Sequence, residues 1–306
     1  MKLLNQAVHV GIIHPMIFPE TGRGEGPILE TVAKIVNDEF FGAIEVSWVK
    51  DADVRARVAK LLAESHLDII YSGAPPILNQ KIDLNNLNDA VRRESINGAK
   101  KLVDEAAFLG AKICTLLSGP KPAASEKERA TRLLSDSLTE ICDYAKSKGN
   151  LMITLEGFDS DYEKRCLIGP TAEAVALAKV VSKSCRNFGL TIDLSHLPLL
   201  HEEPEAAAEA EEYLENVHIG NCIIRDRSSP AYGDQHPRFG APNSENDVPE
   251  VAAFLKALDE MGFFAKKTAT SKPVMSFEVK PQPGESAETI IANSKRTLLD
   301  AWAMLE

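Results

Sequence analysis

Four residues with metal-binding side chains lie at or near the ends of separate β-like runs in the second half of the chain: Glu156, Asp193, His218 and Glu278. Three carboxylates and one imidazole form a ligand set suited to Mn²⁺, Mg²⁺, Co²⁺ or Zn²⁺. Three acidic groups at one place would repel one another and would be costly to desolvate, and a divalent cation between them removes that conflict. The pattern therefore predicts a site for one divalent metal ion.

Each of these residues also has an ordinary structural interpretation. Glu156 or Glu278 alone could form a salt bridge with a lysine or arginine. His218, between Val217 and Ile219, is typical of a hydrogen-bonded histidine in a protein core. Their joint occurrence on four consecutive runs favours a shared metal site over four separate explanations.

A second set of polar residues that could contact a substrate lies close to these runs: His196, Arg225, Asp234 and His236. Arg225 is suited to a substrate hydroxyl, carboxylate or phosphate, or it is a solvated loop residue. Asp234 and His236 alternate in an extended segment, so their side chains point the same way. They could hold a second metal ion with His196, bind substrate, or pin their own loop.

The earlier runs contribute residues that could line a pocket. Trp48 is the best candidate for an apolar platform against a sugar ring, because an aromatic side chain combines a large apolar face with a polar edge. His9, His14, Glu45 and Ser72 are further candidates for the pocket floor or wall.

Eight nearly continuous apolar runs, which alternate with amphipathic helical stretches, would have to position these residues. The runs cover 7–14, 42–48, 67–72, 111–117, 151–156, 189–194, 216–221 and 273–279. Helical patterns include 84–109, 203–215, 248–261 and 286–305. Successive βα units with continuously apolar strands predict an α/β protein, a single (β/α)8 TIM barrel over residues 1–306. A long loop is expected after strand seven, at about 222–247, on the face where barrel active sites form.

Composition narrows the class of function. The formal net charge of −11 would repel nucleic acid, and no cluster of basic residues is present to grip its backbone. No apolar run approaches the length of a membrane helix. The five cysteines are scattered without a CxxC pair, which indicates reduced thiols and a cytoplasmic protein. The GxSxG, P-loop and HExxH motifs are absent, so serine hydrolases, P-loop NTPases and zincins are excluded.

The chain resembles the xylose-isomerase-like TIM-barrel superfamily, which contains sugar isomerases, epimerases and endonuclease IV. The resemblance rests on LEGF at Glu156, TIDLSHLP at Asp193 and His196, VHIGN followed by Arg225, and SFE at Glu278. It implies that Glu156, Asp193, His218 and Glu278 bind one divalent metal ion. It also implies that the two glutamates act as acid and base, as in ketose 3-epimerases, and that His196 and Arg225 contact substrate.

The leading expectation is a metal-dependent isomerase or epimerase of a sugar or sugar derivative, which transfers a proton through an enediolate. The first alternative is a metal-dependent lyase that cleaves a C-glycoside or keto-glycoside, because GFDSDY after Glu156 lacks the epimerases' usual second glutamate. The second alternative is a non-catalytic sugar-binding barrel. His196, Asp234 and His236 look like the third-metal ligands of endonuclease IV, but its further histidines have no counterpart here. A homo-oligomer is compatible with the sequence.

Overall fold

The computed structural model describes residues 3–149 and 151–305. Eight parallel strands form one sheet in the order β1-β8-β7-β6-β5-β4-β3-β2. The strands are β1 (His9–Ile12), β2 (Ala43–Val46), β3 (Asp68–Ser72), β4 (Ile113–Leu117), β5 (Met152–Glu156), β6 (Phe188–Asp193), β7 (Leu214–Gly220) and β8 (Val274–Glu278). Between β1 and β2, the Gly42 N–H donates to Val10 O over 2.9 Å, and Ile13 forms a parallel bridge with Glu45. The predicted (β/α)8 barrel is confirmed.

Helices connect the strands and cover the outside of the barrel. They are α1 (Leu4–Ala7), α2 (His14–Ile17), α3 (Ile28–Val36), α4 (Ala52–Ser65), α5 (Ala74–Gln80), α6 (Asp89–Phe108), α7 (Lys127–Lys146), α8 (Thr171–Val181), α9 (His196–Leu199), α10 (Val248–Glu260) and α11 (Ala287–Ala303). Polar caps fix several starts: the Asn88 side chain accepts from the Ala90 and Val91 N–H groups at α6, and Ser286 accepts from Thr289 at α11. Such caps satisfy amide groups that have no partner within the helix. No helix in the described ranges is long and apolar enough to cross a membrane.

The predicted helix over 203–215 is wrong. The connection from β6 to β7 contains only α9 and a 3-10 helix, Pro204–Ala210, and β7 already begins at Leu214. Hydrogen bonds from Glu211 N to Ala208 O and from Tyr213 N to Ala210 O continue the tight 3-10 pattern. The alanines and glutamates favour an α-helix locally, but pairing of β7 with β6 uses the last residues of the segment and overrides that preference.

The barrel interior is built in layers by the alternation of side chains along each strand. Toward the amino-terminal ends of the strands, an apolar cluster contains Ala43, Ile70, Ile113 and Val274. Above it lies a layer of hydroxyls, in which Thr154 Oγ1 donates to Thr115 Oγ1 over 3.0 Å and Thr191 Oγ1 donates to Thr154 Oγ1 over 2.9 Å. The next inward residues after Thr154 and Thr191 are Glu156 and Asp193, which end β5 and β6 at the carboxyl-terminal end of the barrel.

Two loops at the carboxyl-terminal end are important for the site: the β5–α8 loop (157–170) and the β7–α10 loop (221–247). Asn246 Nδ2 donates to Gly220 O over 2.9 Å and to Leu194 O over 3.3 Å, which ties the second loop to the ends of β6 and β7. The two loops also touch each other, since Gln235 Nε2 donates to Glu163 Oε2 over 2.8 Å. The second loop is therefore fixed to both the barrel and its neighbour.

Candidate metal centre

The four predicted ligands meet at the carboxyl-terminal end of the barrel and are called the strand group here: Glu156, Asp193, His218 and Glu278. Each offers one ligand atom, and these four atoms lie within 4.8 Å of one another. All four residues are buried, with Glu278 the most exposed at 7%. They come from the consecutive strands β5, β6, β7 and β8, so the backbone hydrogen bonds of the sheet fix their spacing. The predicted convergence is present in the structure.

His218 is oriented by a carboxylate from the opposite side of the barrel. Its Nε2 lies 3.1 Å and 3.2 Å from the two oxygens of Glu45, a buried residue of β2. In the neutral imidazole, donation of the Nε2 proton to Glu45 leaves a lone pair on Nδ1, which faces Glu278 Oε2 at 2.8 Å and Glu156 Oε1 at 3.2 Å. Three acceptor atoms then converge with no proton between them. A carboxylate behind a histidine in this way is common at metal sites, where it fixes the ring and its tautomer.

The electrostatics of the strand group favour positive charge at its centre. Burial alone would lower the pKa of His218, yet the surrounding carboxylates hold that pKa well above its ordinary value. Burial raises the pKa of Glu156, and the nearby Glu278 carboxylate raises it further. The pKa of Glu278 lies below its ordinary value because His236 and His218 outweigh burial. A proton on the imidazole or a bound divalent cation would each compensate the negative charge of the carboxylates.

A second cluster, called the loop group here, consists of His196, Asp234 and His236. Asp234 Oδ1 lies 3.2 Å from His196 Nε2 and 2.8 Å from His236 Nε2. The His196 Nδ1 donates to the Gly157 carbonyl over 2.8 Å, so in the neutral ring Nε2 presents a lone pair. Both His196 Nε2 and Asp234 Oδ1 are buried without a hydrogen-bond partner among the described residues. The structure thus brings together the three residues that the sequence suggested as a possible second metal site.

Asp193 joins the two groups. One ligand atom each from Asp193, His196 and His236 also lie within 4.8 Å of one another. Asp193 Oδ1 accepts from the Ser195 N–H over 2.9 Å, and its Oδ2 accepts from the Ser195 hydroxyl. These bonds fix the carboxylate plane, with Oδ2 only 3.5 Å from His196 Nε2. Asp193 is therefore held rigidly between the strand group and the loop group.

The residues of the loop group share charge in the same way as those of the strand group. Burial opposes a charge on each of the three residues, but Asp234 holds the pKa of His196 well above its usual range and raises that of His236 to about 9. The two rings in turn hold the pKa of Asp234 well below its usual range despite burial. The ring of Phe158, with its centre 4.6 Å from that of His196, covers this group on one side.

Lys164, from the β5–α8 loop, reaches the loop group from outside. Its Nζ lies 3.3 Å from Asp234 Oδ2 and 3.1 Å from Glu163 Oε1. The Asp234 carboxylate thus points one oxygen at two histidines and the other at an ammonium group. Burial lowers the pKa of Lys164, but Asp234 and Glu163 outweigh burial and raise it. No sequence pattern indicates this contact of Lys164.

Close packing around Gly220, at the end of β7, fixes the position of His236. A Cβ added to Gly220 would lie 2.6 Å from Glu278 O and 3.2 Å from His236 Nδ1. His236 itself adopts a left-handed backbone with φ 48°. Its carbonyl accepts from Lys280 N over 2.7 Å, which attaches the loop to the chain just beyond β8. Packing against Gly220 and the hydrogen bond from Lys280 therefore hold His236 in this strained backbone conformation.

Two predicted substrate residues lie outside both groups. Trp48 Nε1 donates to Gly22 O over 3.1 Å, and the ring lies beside Gly24 and the Lys50 ammonium group, which is 4.9 Å from the ring centre. Arg225 pairs with Glu245 over 2.7 Å, and its side chain is 72% exposed. It lines a cavity of about 420 Å³ with His201 and Glu203, among others. Contact of either residue with substrate stays a prediction.

The remaining early polar residues have structural partners. His9 Nδ1 lies 2.9 Å from Asp68 Oδ2, and His14 Nε2 lies 2.8 Å from Thr31 Oγ1. The carbonyl of Ser72 accepts from Ser47 Oγ over 2.8 Å. Glu45 alone among the early candidates touches the strand group.

A repeated sequence pattern could have strengthened the prediction of the strand group. On each of the four strands a small polar residue precedes the ligand by two positions: Thr154, Thr191, Asn216 and Ser276. Two positions along a strand return to the same face, so an inward polar residue predicts that the ligand is also inward. Asn216 shows the link directly, because its Nδ2 donates to Glu45 Oε1 over 3.0 Å. For Glu45 and Lys164 the sequence offers no comparable pattern.

The donor set of the strand group fits a divalent cation. Glu278 Oε2 is buried and has no hydrogen bond among the described residues, although it lies 2.8 Å from His218 Nδ1. Such close but unbonded polar atoms are expected where lone pairs aim at a common point between them rather than at each other. Oxygen atoms with one imidazole nitrogen suit Mn²⁺, Zn²⁺ and related ions.

A family model described as xylose isomerase-like TIM barrel matches residues 37–296. The chain belongs to that family. The match confirms the resemblance drawn from the strand-end motifs. No curated protein sequence matches this member of the xylose isomerase-like family.

Solved structures with the same fold span nearly the whole chain. An L-ribulose 3-epimerase superposes with a TM-score of 0.69 at 18% identity, covering 97% of each chain. The IolI protein, solved with a zinc atom, gives 0.71 at 18% identity over 96% of this chain and 98% of that chain. The 3-keto-D-glucoside 4-epimerase YcjR from E. coli gives 0.64 at 15% identity over 95% and 98%. At these identities the likeness shows the xylose isomerase-like fold.

Proposed function

We propose that the protein is a divalent-metal-dependent isomerase or epimerase acting on a sugar or a sugar derivative. The observation that carries the proposal is the strand group: three buried carboxylates and one imidazole, with ligand atoms within 4.8 Å of one another. Membership of the xylose isomerase-like family supports it. The sugar epimerases of the same fold and the zinc atom in IolI support it further.

Glu156, Asp193, His218 and Glu278 would hold the ion. When bound, a divalent cation supplies Lewis acidity, which makes the hydrogen on the carbon beside a carbonyl easier to remove. His218 is held for this role by Glu45, whose oxygens lie 3.1 Å and 3.2 Å from its Nε2. The N–H and the hydroxyl of Ser195 both donate to the Asp193 carboxylate, so Asp193 has little freedom to transfer protons itself.

Glu156 and Glu278 are the proposed proton-transfer residues. They end β5 and β8 and approach His218 Nδ1 with one oxygen each, at 3.2 Å and 2.8 Å. One glutamate removes the proton beside the substrate carbonyl, and the other returns a proton to the resulting enediolate. A positioned general base typically contributes about 10²–10⁴-fold to the rate. Return at the same carbon from the opposite face inverts that carbon. Return at the neighbouring carbon moves the carbonyl, which converts a ketose to an aldose when the first proton leaves C1.

The loop group is the proposed contact for substrate hydroxyls. His196 Nε2 and Asp234 Oδ1 lie 3.2 Å apart and have no hydrogen-bond partner among the described residues, and with the imidazole neutral both are acceptors. A buried acceptor without a donor costs about 1–3 kcal/mol. A sugar hydroxyl that donates there would remove this cost. Arg225 and Trp48 are proposed as additional substrate contacts.

Proton exchange from solvent tests the proposal. The purified protein is loaded with Mn²⁺ and incubated in deuterated water with a panel of ketoses, beginning with L-ribulose and D-tagatose. We expect deuterium incorporation, measured by mass spectrometry, to accompany formation of a product of otherwise unchanged composition. Glu156→Gln and Glu278→Gln should each slow the exchange by at least about 100-fold.

Glu215→Gln is the matched control, because Glu215 is also a glutamate of a barrel strand, β7, but accepts a hydrogen bond from Ala269 N on the outer side of the barrel. Its exchange rate should equal that of the wild type. Unchanged metal content and exchange in both strand-group variants would refute the proposal. A keto-glycoside belongs in the same panel, because the fold is shared with a 3-keto-D-glucoside 4-epimerase. Release of an aglycone would identify a lyase, and sugar binding without exchange would identify a binding protein.

A further inference from the structure

We infer that Lys164 limits this centre to one divalent ion, because its ammonium group already compensates the Asp234 carboxylate beside which a second ion would bind. The inference rests on the proposed function, since it assumes that the strand group holds the first ion. The ammonium group of Lys164 lies 3.3 Å from Asp234 Oδ2, and the Asp234 side chain is only 1% exposed. Water therefore screens this ion pair little on the carboxylate side.

Lys164 is held in place and is not a mobile surface lysine. The buried Asp159 accepts three backbone hydrogen bonds, from Tyr162 N over 2.6 Å, Glu163 N over 2.8 Å and Lys164 N over 2.7 Å. The Lys164 side chain is 19% exposed. The β5–α8 loop thus presents the ammonium group at a defined place beside the loop group.

A lysine compensates the carboxylate of the loop group but not the carboxylates of the strand group. The three carboxylates of the strand group have no lysine or arginine within ion-pair distance in the described part of the chain. The single carboxylate of the loop group, Asp234, already has Lys164. Glu163 also pairs with Lys164, at 3.1 Å, but its side chain is 40% exposed and solvent screens that charge.

A second ion held by Asp193, His196 and His236, whose ligand atoms lie within 4.8 Å of one another, would also lie against Asp234 Oδ1, which is 3.2 Å from His196 Nε2 and 2.8 Å from His236 Nε2. It would then share the Asp234 carboxylate with the Lys164 ammonium group, which contacts the other oxygen, Oδ2. Two positive charges would be brought close together in a buried place, where repulsion is strong. The side chains of the loop group therefore remain available to substrate hydroxyls.

Metal stoichiometry tests the inference without measuring activity. Wild type, Lys164→Met and Lys164→Arg are stripped with chelator, titrated with Mn²⁺ by calorimetry, and assayed for bound metal after equilibrium dialysis. Wild type and Lys164→Arg should bind one ion per chain. Lys164→Met should bind a second ion, with an affinity for it about 100-fold or more above that of the wild type.

Two further variants locate the second ion and isolate the charge effect. Lys164→Met combined with His236→Gln should return to one ion, because the loop group loses a ligand. Glu163→Gln should keep one ion, since it leaves Lys164 with more unshared charge. Melting temperatures of the metal-free variants show whether each has folded.

The outcomes separate this inference from the proposed function. One ion in the wild type and two in Lys164→Met, with one in Lys164→Arg, support it. One ion in both wild type and Lys164→Met overturns it and leaves the proposed function intact, as do two ions in the wild type. A second ion in Lys164→Arg also overturns it, because charge would then not be the cause. No ion in any variant overturns both.

Discussion

The strand group and the loop group hold similar side chains by different means. Four neighbouring strands supply the strand group, so the sheet sets its geometry. The loop group takes His196 from the start of α9 and Asp234 and His236 from the β7–α10 loop, where His236 has a left-handed backbone. Secondary structure holds the first set, and specific side-chain and backbone contacts hold the second. Such a division suits the proposed metal site on the sheet beside the proposed substrate contacts on a loop.

The histidines of the two groups are also oriented differently. A buried carboxylate, Glu45, accepts from His218, whereas a backbone carbonyl, Gly157 O, accepts from His196. A carboxylate acceptor makes the ring a stronger donor to a metal than a neutral carbonyl does. Together with the excess of carboxylates, this difference explains why the strand group should attract an ion first.

The largest expected effect comes from Asp193, which belongs to one group and touches the other. Asp193→Asn preserves shape and the bond from Ser195 N, but it removes the charge. We expect Mn²⁺ affinity to fall by about 1,000-fold, more than the 10–100-fold typical for residues behind a ligand. Calorimetric titration measures this loss. The metal-free variant should be at least as stable as wild type, since repulsion among the carboxylates is relieved; a large loss of stability would show that Asp193 is mainly structural.

Glu45→Gln separates the two groups. It should weaken Mn²⁺ binding by about 10–100-fold, because His218 loses its charged acceptor. The loop group has no contact with Glu45 among the described hydrogen bonds and ion pairs. The variant should therefore lower the affinity for Mn²⁺. The KM for substrate, measured at saturating Mn²⁺, should not change. An unchanged affinity would mean that Glu45 does not orient the ligand.

His14 shows what burial does to a histidine without carboxylates. Burial lowers the pKa of His14 to about 3, and Thr31 is its hydrogen-bond partner. Between that value and the unfolded value of about 6.5, the unfolded chain binds the proton and the folded chain does not. Stability is therefore lost as the pH falls, by about 2 kcal/mol between pH 7 and pH 5. Urea unfolding of the wild type and His14→Gln should show this loss in the wild type alone, and equal pH slopes would contradict it.

Arg225→Ala should have the smallest effect on stability. The Arg225–Glu245 pair involves an arginine side chain that is 72% exposed, and such pairs contribute about 0–1 kcal/mol. If the arginine reaches substrate beside the loop group, KM should rise about tenfold with little change in kcat. Steady-state kinetics on the ketose that shows exchange makes this measurement. An unchanged KM would limit substrate contact to the two groups and remove Arg225 from the site.

The sequence predicted the barrel and the strand group because both depend on local patterns. Apolar runs identify buried parallel strands, and polar residues near their ends must meet where parallel strands end together. The helix predicted over 203–215 failed because strand pairing at Leu214 depends on β6, which local propensity does not include. Local pattern is thus a good guide to strands and a poor guide to connections.

Glu45 and Lys164 could not be assigned their contacts from sequence. Glu45 crosses the barrel from β2 to reach His218, and that contact depends on the closure of the whole sheet. Lys164 reaches Asp234 only because Asp159 folds the preceding turn. Both contacts join residues far apart in sequence, and neither residue type indicates its partner.

Anomalous diffraction from crystals soaked in Mn²⁺ tests the central claim most directly. The account predicts one strong peak inside the strand group, at about 2.0–2.6 Å from an atom of each of its four residues. A peak confined to the loop group, or no peak within the barrel at saturating Mn²⁺, would contradict it.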